Sequence, residues 1–98
     1  MNDETYRALV EQSHQLQELT RHPGWPVFQD YLLTVVQAPI TRSIVNGGAK
    51  DFEEYKERTG FCKGITRALN VPDEVGEQVL HERERRQEAE VAARDEAE

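Results

Sequence analysis

Pro26-Val27-Phe28-Gln29-Asp30-Tyr31-Leu32-Leu33-Thr34-Val35-Val36-Gln37-Ala38-Pro39-Ile40-Thr41-Arg42-Ser43-Ile44-Val45, followed by Asn46-Gly47-Gly48, is the stretch on which the fold turns. Pro26 suits a first helical position, where a missing amide donor is no loss. Gly47 is placed to end the helix in a left-handed cap. Between them lies the most hydrophobic part of the chain. Its apolar residues fall on more than one side of a helix, which marks it as the central helix. Pro39 interrupts it: either the helix kinks there, or it stops near Gln37 and a short second helix follows.

The pattern continues on the C-terminal side. Asp51 and Glu54 have the spacing of a capping box. Phe52, Tyr55, Thr59, Cys62, Ile65 and Leu69 recur with a period near 3.5, which predicts a helix over about 52–69. The short polar turn before it favours an antiparallel helical hairpin. Gly60 and Gly64 lie inside this helix, where each costs about 1 kcal/mol relative to Ala. Close approach of another helix is the expected reason, ahead of a kink or a bound ligand.

On the N-terminal side, His22-Pro23-Gly24-Trp25-Pro26 separates a first helix, about Asp3 to Thr20, with the stripe Tyr6, Leu9, Val10, Leu16 and Leu19. Asn70-Val71-Pro72-Asp73 reads as a third break. A fourth helix then starts at Pro72 and runs toward the end. Val75, Val79 and Leu80 can pack, whereas His81 to Glu88 contains no apolar residue. Glu82–Arg86 and Glu90–Arg94 pair at i,i+4 in the favourable direction. Heptads counted from Val75 give Val75, Val79, Glu82, Arg86, Ala89 and Ala93, which is no coiled-coil seam. The expected fold is therefore all-α: a helical hairpin or small three-helix bundle over 1–80, with an extended, charged C-terminal helix over 81–98. That extension has nothing of its own core to dock on, so it protrudes, frays or is ordered against a partner.

Composition narrows the function. Ninety-eight residues make one domain, burying roughly 60–70% of the surface its unfolded chain exposes. That suffices for one thin core and not for a deep, lidded cavity. Nineteen acidic residues against twelve basic ones leave a net charge of −7. Duplex DNA is bound by neutralising phosphates with Lys and Arg, so nucleic acid is not an expected partner. No run approaches the ~20 apolar residues of a membrane span, so neither is a membrane. One cysteine cannot staple the fold, and the polar, acidic N-terminus is unlike a signal peptide. Synthesis and residence in the cytosol are expected.

Candidates for chemistry are few. His14, His22 and His81 are scattered and offer no convergent metal set. Cys62 sits on an apolar stripe and reads as a small buried hydrophobe. Gly60-Phe61-Cys62-Lys63-Gly64 lacks the strand and the Gly-Lys-Ser/Thr ending of a phosphate loop. No catalytic, cofactor-binding or metal-binding residue is expected, and no enzyme. The candidates for partner binding are Trp25, Lys56, Lys63, Arg67, Arg83 and Arg86. Lys56, Lys63 and Arg67 share one face of the third helix, the main concentration of positive charge. Trp25, at the corner between Gly24 and Pro26, is expected to pack over the end of the bundle. If exposed, it is a binding hot spot by residue type.

Two stretches carry a resemblance: His22-Pro23-Gly24-Trp25 followed by an apolar helix, and Asp51-Phe52-Glu53-Glu54-Tyr55 running through Gly60, Gly64 and Leu69 to Pro72. Together, over residues 21–75, they resemble short helical proteins from the head and connector gene region of tailed bacteriophages. Gly64 departs from the commoner pattern. The resemblance implies a non-enzymatic structural or assembly role, with a phage head or connector protein as partner and several symmetric copies or a homo-oligomer as working state. It implies host cytoplasm during synthesis, and the virion afterwards for a structural part. The alternative is a small acidic inhibitor that covers the basic groove of a host defence protein. A nucleic-acid accessory using Lys56, Lys63 and Arg67 is a third reading.

Overall fold

Side-chain caps set where the helices begin. In the computed structural model, which describes residues 1–97, Asn2 Oδ1 accepts from the Thr5 amide at 2.8 Å, and Asp51 Oδ1 accepts from the Glu54 amide at 2.8 Å. Each bond satisfies an amide that the first helical turn leaves without a partner. Helix α1 spans Asp3–Arg21, α2 Gly24–Tyr31, a π-helical segment Leu32–Gln37, α3 Ala38–Val45 and α4 Phe52–Ala97. Among the described residues there is no strand, and the fold is all-α. No described helix is long and apolar enough to cross a membrane.

At Pro39 the chain does not break: the π-helical segment ends at Gln37 and α3 follows directly from Ala38. Proline removes the amide that would bond the carbonyl of Val35 and crowds that carbonyl. The helix absorbs this by widening into π turns just before it, with the Ala38 amide bonding back to the Leu33 oxygen. Thr34 Oγ1 donates to the Asp30 oxygen at 2.6 Å and Thr41 Oγ1 to the Gln37 oxygen at 3.1 Å. These hydroxyls supply donors on both sides of the irregular turns. α2, the π segment and α3 thus follow one another without interruption. Gly47 ends α3 with φ +75°, the expected left-handed cap, and the Gly48 amide reaches the Ser43 oxygen at 2.7 Å.

The break expected at residues 70–73 does not occur. α4 continues through Pro72, which lies inside the helix and is buried. An interior proline costs about 3 kcal/mol. Here that cost is set against burial of its ring and a following sequence dominated by Glu, Arg, Gln and Ala, which favour helix.

The contacts divide the chain into two units, residues 20–71 and residues 1–19 with 72 onward. In the first, α2, the π segment and α3 run antiparallel to the start of α4, as expected of a hairpin. Leu32, Val36, Ile40 and Ile44 are half-buried, as are Ile65 and Leu69, and Cys62 is buried. The segment expected to be central is covered on one side only: no residue of α2, the π segment or α3 is fully buried. Its opposite side leaves Val27 69%, Phe28 53%, Tyr31 58% and Val35 52% exposed.

Gly60 and Gly64 also differ from expectation. A Cβ at either position would meet nothing within 4 Å, so no helix approaches there. In the second unit α1 lies against α4 from Pro72 onward, with Val79 buried and Tyr6, Leu9, Val10 and Leu16 half-buried. Arg86, within the stretch expected as an extension, pairs with Asp3 and lies over the Tyr6 ring of α1.

Candidate functional site: exposed helix faces

The outer side of α2 is built by local rules. His22 starts it: its Nδ1 accepts from the Gly24 amide at 2.9 Å and its carbonyl from the Trp25 amide at 3.0 Å. The ring thus satisfies one amide at the start of the helix. Trp25 is half-buried at the helix start, its ring tilted against Phe28 with centroids 5.9 Å apart. From Phe28 the exposed side chains Tyr31, Val35 and Pro39 follow at steps of three, four and four. Val27 sits one turn before Tyr31. Between Pro26 and Val45 the charged residues are Asp30 and Arg42 alone.

The inner side of the same hairpin is polar where it matters. Gln37 Nε2 donates to the Cys62 oxygen and to Thr66 Oγ1, both at 3.0 Å. Thr41 Oγ1 lies 3.8 Å from Cys62 Sγ. Arg58 pairs with Glu54 and donates to Ser43 Oγ at 2.9 Å and to the Gly48 oxygen at 3.3 Å. Pro39, Ile40, Ser43, Glu57, Arg58 and Phe61 border an open groove of about 610 Å³.

The sequence-derived cations separate into engaged and outward-facing groups. Lys56 and Lys63 are exposed on α4, with Lys56 Nζ 5.2 Å from the centre of the Phe52 ring. Arg67 is exposed on the same helix and has an interaction of its own. Arg83 borders an open groove of about 480 Å³ with Tyr6, Val10 and His14 of α1. Arg86 is committed within the chain. Its guanidinium contacts Asp3 at 2.7 Å, Glu82 at 3.2 Å and the Met1 carbonyl at 3.2 Å, and it stacks over Tyr6 at 4.3 Å.

Glu82, 8% exposed, accepts from Arg85 at 2.9 and 3.1 Å as well. The Arg85 hydrogen bond, with the nearby positive charges of Arg85, the N-terminal amine and Arg86, holds the Glu82 carboxyl below its ordinary pKa despite burial. The Arg86 hydrogen bond and charge do the same for Asp3. The arginines are raised in turn, Arg85 by its bond to Glu82 and Arg86 by its bond to Asp3.

Two features escaped the sequence reading. The Glu82–Arg86 spacing was visible as a surface pair, but its closure onto Tyr6 and Asp3 depends on a helix eighty residues earlier. Gln37 carried no signal beyond a polar residue in an apolar segment. Among the described residues no three of His, Cys, Asp and Glu converge as a metal site would require. Comparison with known proteins finds no match to this chain in any family model, curated protein or solved structure.

Proposed function

We propose that this chain is a non-enzymatic phage structural or assembly component that docks through helix faces onto a larger head or connector assembly, in several symmetric copies. The observation that carries this reading is the amount of apolar helix surface left open. Thirteen large hydrophobic side chains among the described residues are exposed, while Cys62 and Val79 make up the buried hydrophobic core. Where such side chains adjoin, as Phe28, Tyr31 and Val35 do at helical spacing, the apolar patch marks a site of macromolecular contact. Removing it from water supplies the driving force for association. The phage assignment rests on the resemblance over residues 21–75. The test is purification of phage particles from cells expressing a tagged chain. A structural component stays with the particle in many copies through a density gradient. A chain absent from particles and from every assembly intermediate contradicts the reading.

Segregation of charge favours a second reading, the acidic inhibitor. Residues 1–19 and 72–98 carry fourteen acids against five basic residues. Glu84, Glu88 and Asp95 border a shallow groove with Val91 and Ala92, a surface that suits a basic cleft. An inhibitor forms a stoichiometric complex with one host protein and is missing from the particle.

A further inference from the structure

We propose that the outer face of α2 and the π segment, centred on Tyr31, seats a second copy of this chain about a two-fold axis, with Phe28 of each copy against Val35 of the partner subunit. The proposal rests on the reading of the chain as a multi-copy component that works through helix faces, and it names the face.

Surface area gives the first argument. Val27, Phe28, Tyr31 and Val35 are each more than half exposed. With aromatic side chains of about 150–250 Å², the stripe with Pro39 leaves on the order of 500 Å² of apolar surface open. Apolar atoms make up about 65% of a homodimer interface, so this implies about 800 Å² per copy once a polar rim is added.

Charge gives the second argument. Phe28, Tyr31, Val35 and Pro39 bear no charge, and Asp30 is the one charged residue between Pro26 and Thr41, so the stripe offers no set of charges to select an oppositely charged partner, whereas an apolar helix face is complementary to itself. Residues 20–71 hold seven basic and five acidic residues. Contact between two copies of this unit therefore sets +2 against +2, and not −7 against −7. A two-fold contact is also the commonest way in which identical chains close an interface. Tyr31 lies near the middle of the stripe, with Phe28 three residues before it and Val35 four after. An antiparallel crossing at Tyr31 thus lays ring on branched side chain on both sides of the axis.

The test is sedimentation velocity of the purified full chain over a concentration series, with variants. We expect the wild type to self-associate. Val35→Glu should weaken association by about 100-fold or more, the loss typical of a central contact, with the helical circular dichroism unchanged because the site is exposed. Val45→Glu, at a residue 78% exposed but off the stripe, should associate as the wild type does. Tyr31→Cys should form a disulfide-linked dimer under mild oxidant, since helices packed 8–10 Å apart bring residues at the axis within disulfide reach. A wild type that is monomeric throughout overturns the proposal, as does an oligomer that Val35→Glu leaves intact. An oligomer in which Tyr31→Cys does not cross-link overturns the two-fold placement. Presence in phage particles is read separately, so a monomeric chain that still enters particles would sink this face and leave the assembly role standing.

Discussion

Residues 20–71 and the paired segments 1–19 and 72–97 each hold two helices together, and they do so by different chemistry. The first unit has nearly balanced charge and joins its helices through half-buried aliphatic residues, Cys62 and the two hydrogen bonds of Gln37. The second is strongly acidic and adds to Val79 a clasp in which Arg86 joins Asp3, Glu82 and the Tyr6 ring. The first unit leaves its apolar surplus facing outward. The second spends its charge on internal pairing and on solvation. The difference teaches that one unit of a chain can leave an apolar face uncovered while the other does not. The acidic unit shows that the same chain can cover α4 with α1 and leave a mostly polar exterior.

The contrast can be broken most strongly at Val79, 6% exposed. Val79→Asp buries an unpaired charge and should destabilise the second unit by about 3 kcal/mol or more. Amide hydrogen exchange should report lost protection in α1, with protection retained between α2 and residue 71. Equal loss in both units would mean that they unfold as one. In the first unit, Gln37→Ala removes the two side-chain bonds that tie this segment to the Cys62 oxygen and Thr66 Oγ1 of α4. A loss of about 1–2 kcal/mol is expected, read as a lower midpoint in urea. An unchanged midpoint would remove Gln37 from the packing of this hairpin.

Much of this was legible because it is local. The caps at Asp51 and Gly47, the burial of Cys62 and the hairpin follow from residue type and spacing within a few positions. What was not legible depends on the rest of the chain. Pro72 reads as a stop by its own chemistry, and the helix passes it where its ring is buried and strong helix formers follow. The π turns before Pro39 are one of several ways to lose a hydrogen bond. Gly60 and Gly64 invited a packed neighbour, yet they face open space. Among the sequence-derived partner residues, Arg86 turned out to have its partners inside the chain.

Those glycines sharpen the comparison with a smaller effect of opposite sign. Gly60→Ala or Gly64→Ala should stabilise the chain by about 0.5–1 kcal/mol each, because a Cβ there meets nothing. Thermal unfolding measures it, and destabilisation would mean that another backbone does lie against this face. The smallest effect is acidification. Asp3 and Glu82 bind protons less readily folded than unfolded. Their contribution is therefore complete above the ordinary carboxylate pKa and is lost as pH falls through the lowered values. Asp3 is 84% exposed, so the loss is modest and screened by salt. Exchange at the start of α1 should rise at acid pH while the hairpin is unaffected. Asp3→Asn should remove part of that dependence.

The most direct measurement is hydroxyl-radical footprinting of the full chain at low and high concentration, with modification read at Phe28, Tyr31 and Tyr55. We expect Phe28 and Tyr31 to become protected as concentration rises, with Tyr55 modified equally throughout. Labelling of Tyr31 that stays at its dilute value, whatever the concentration, would contradict a face made to be covered by a second copy.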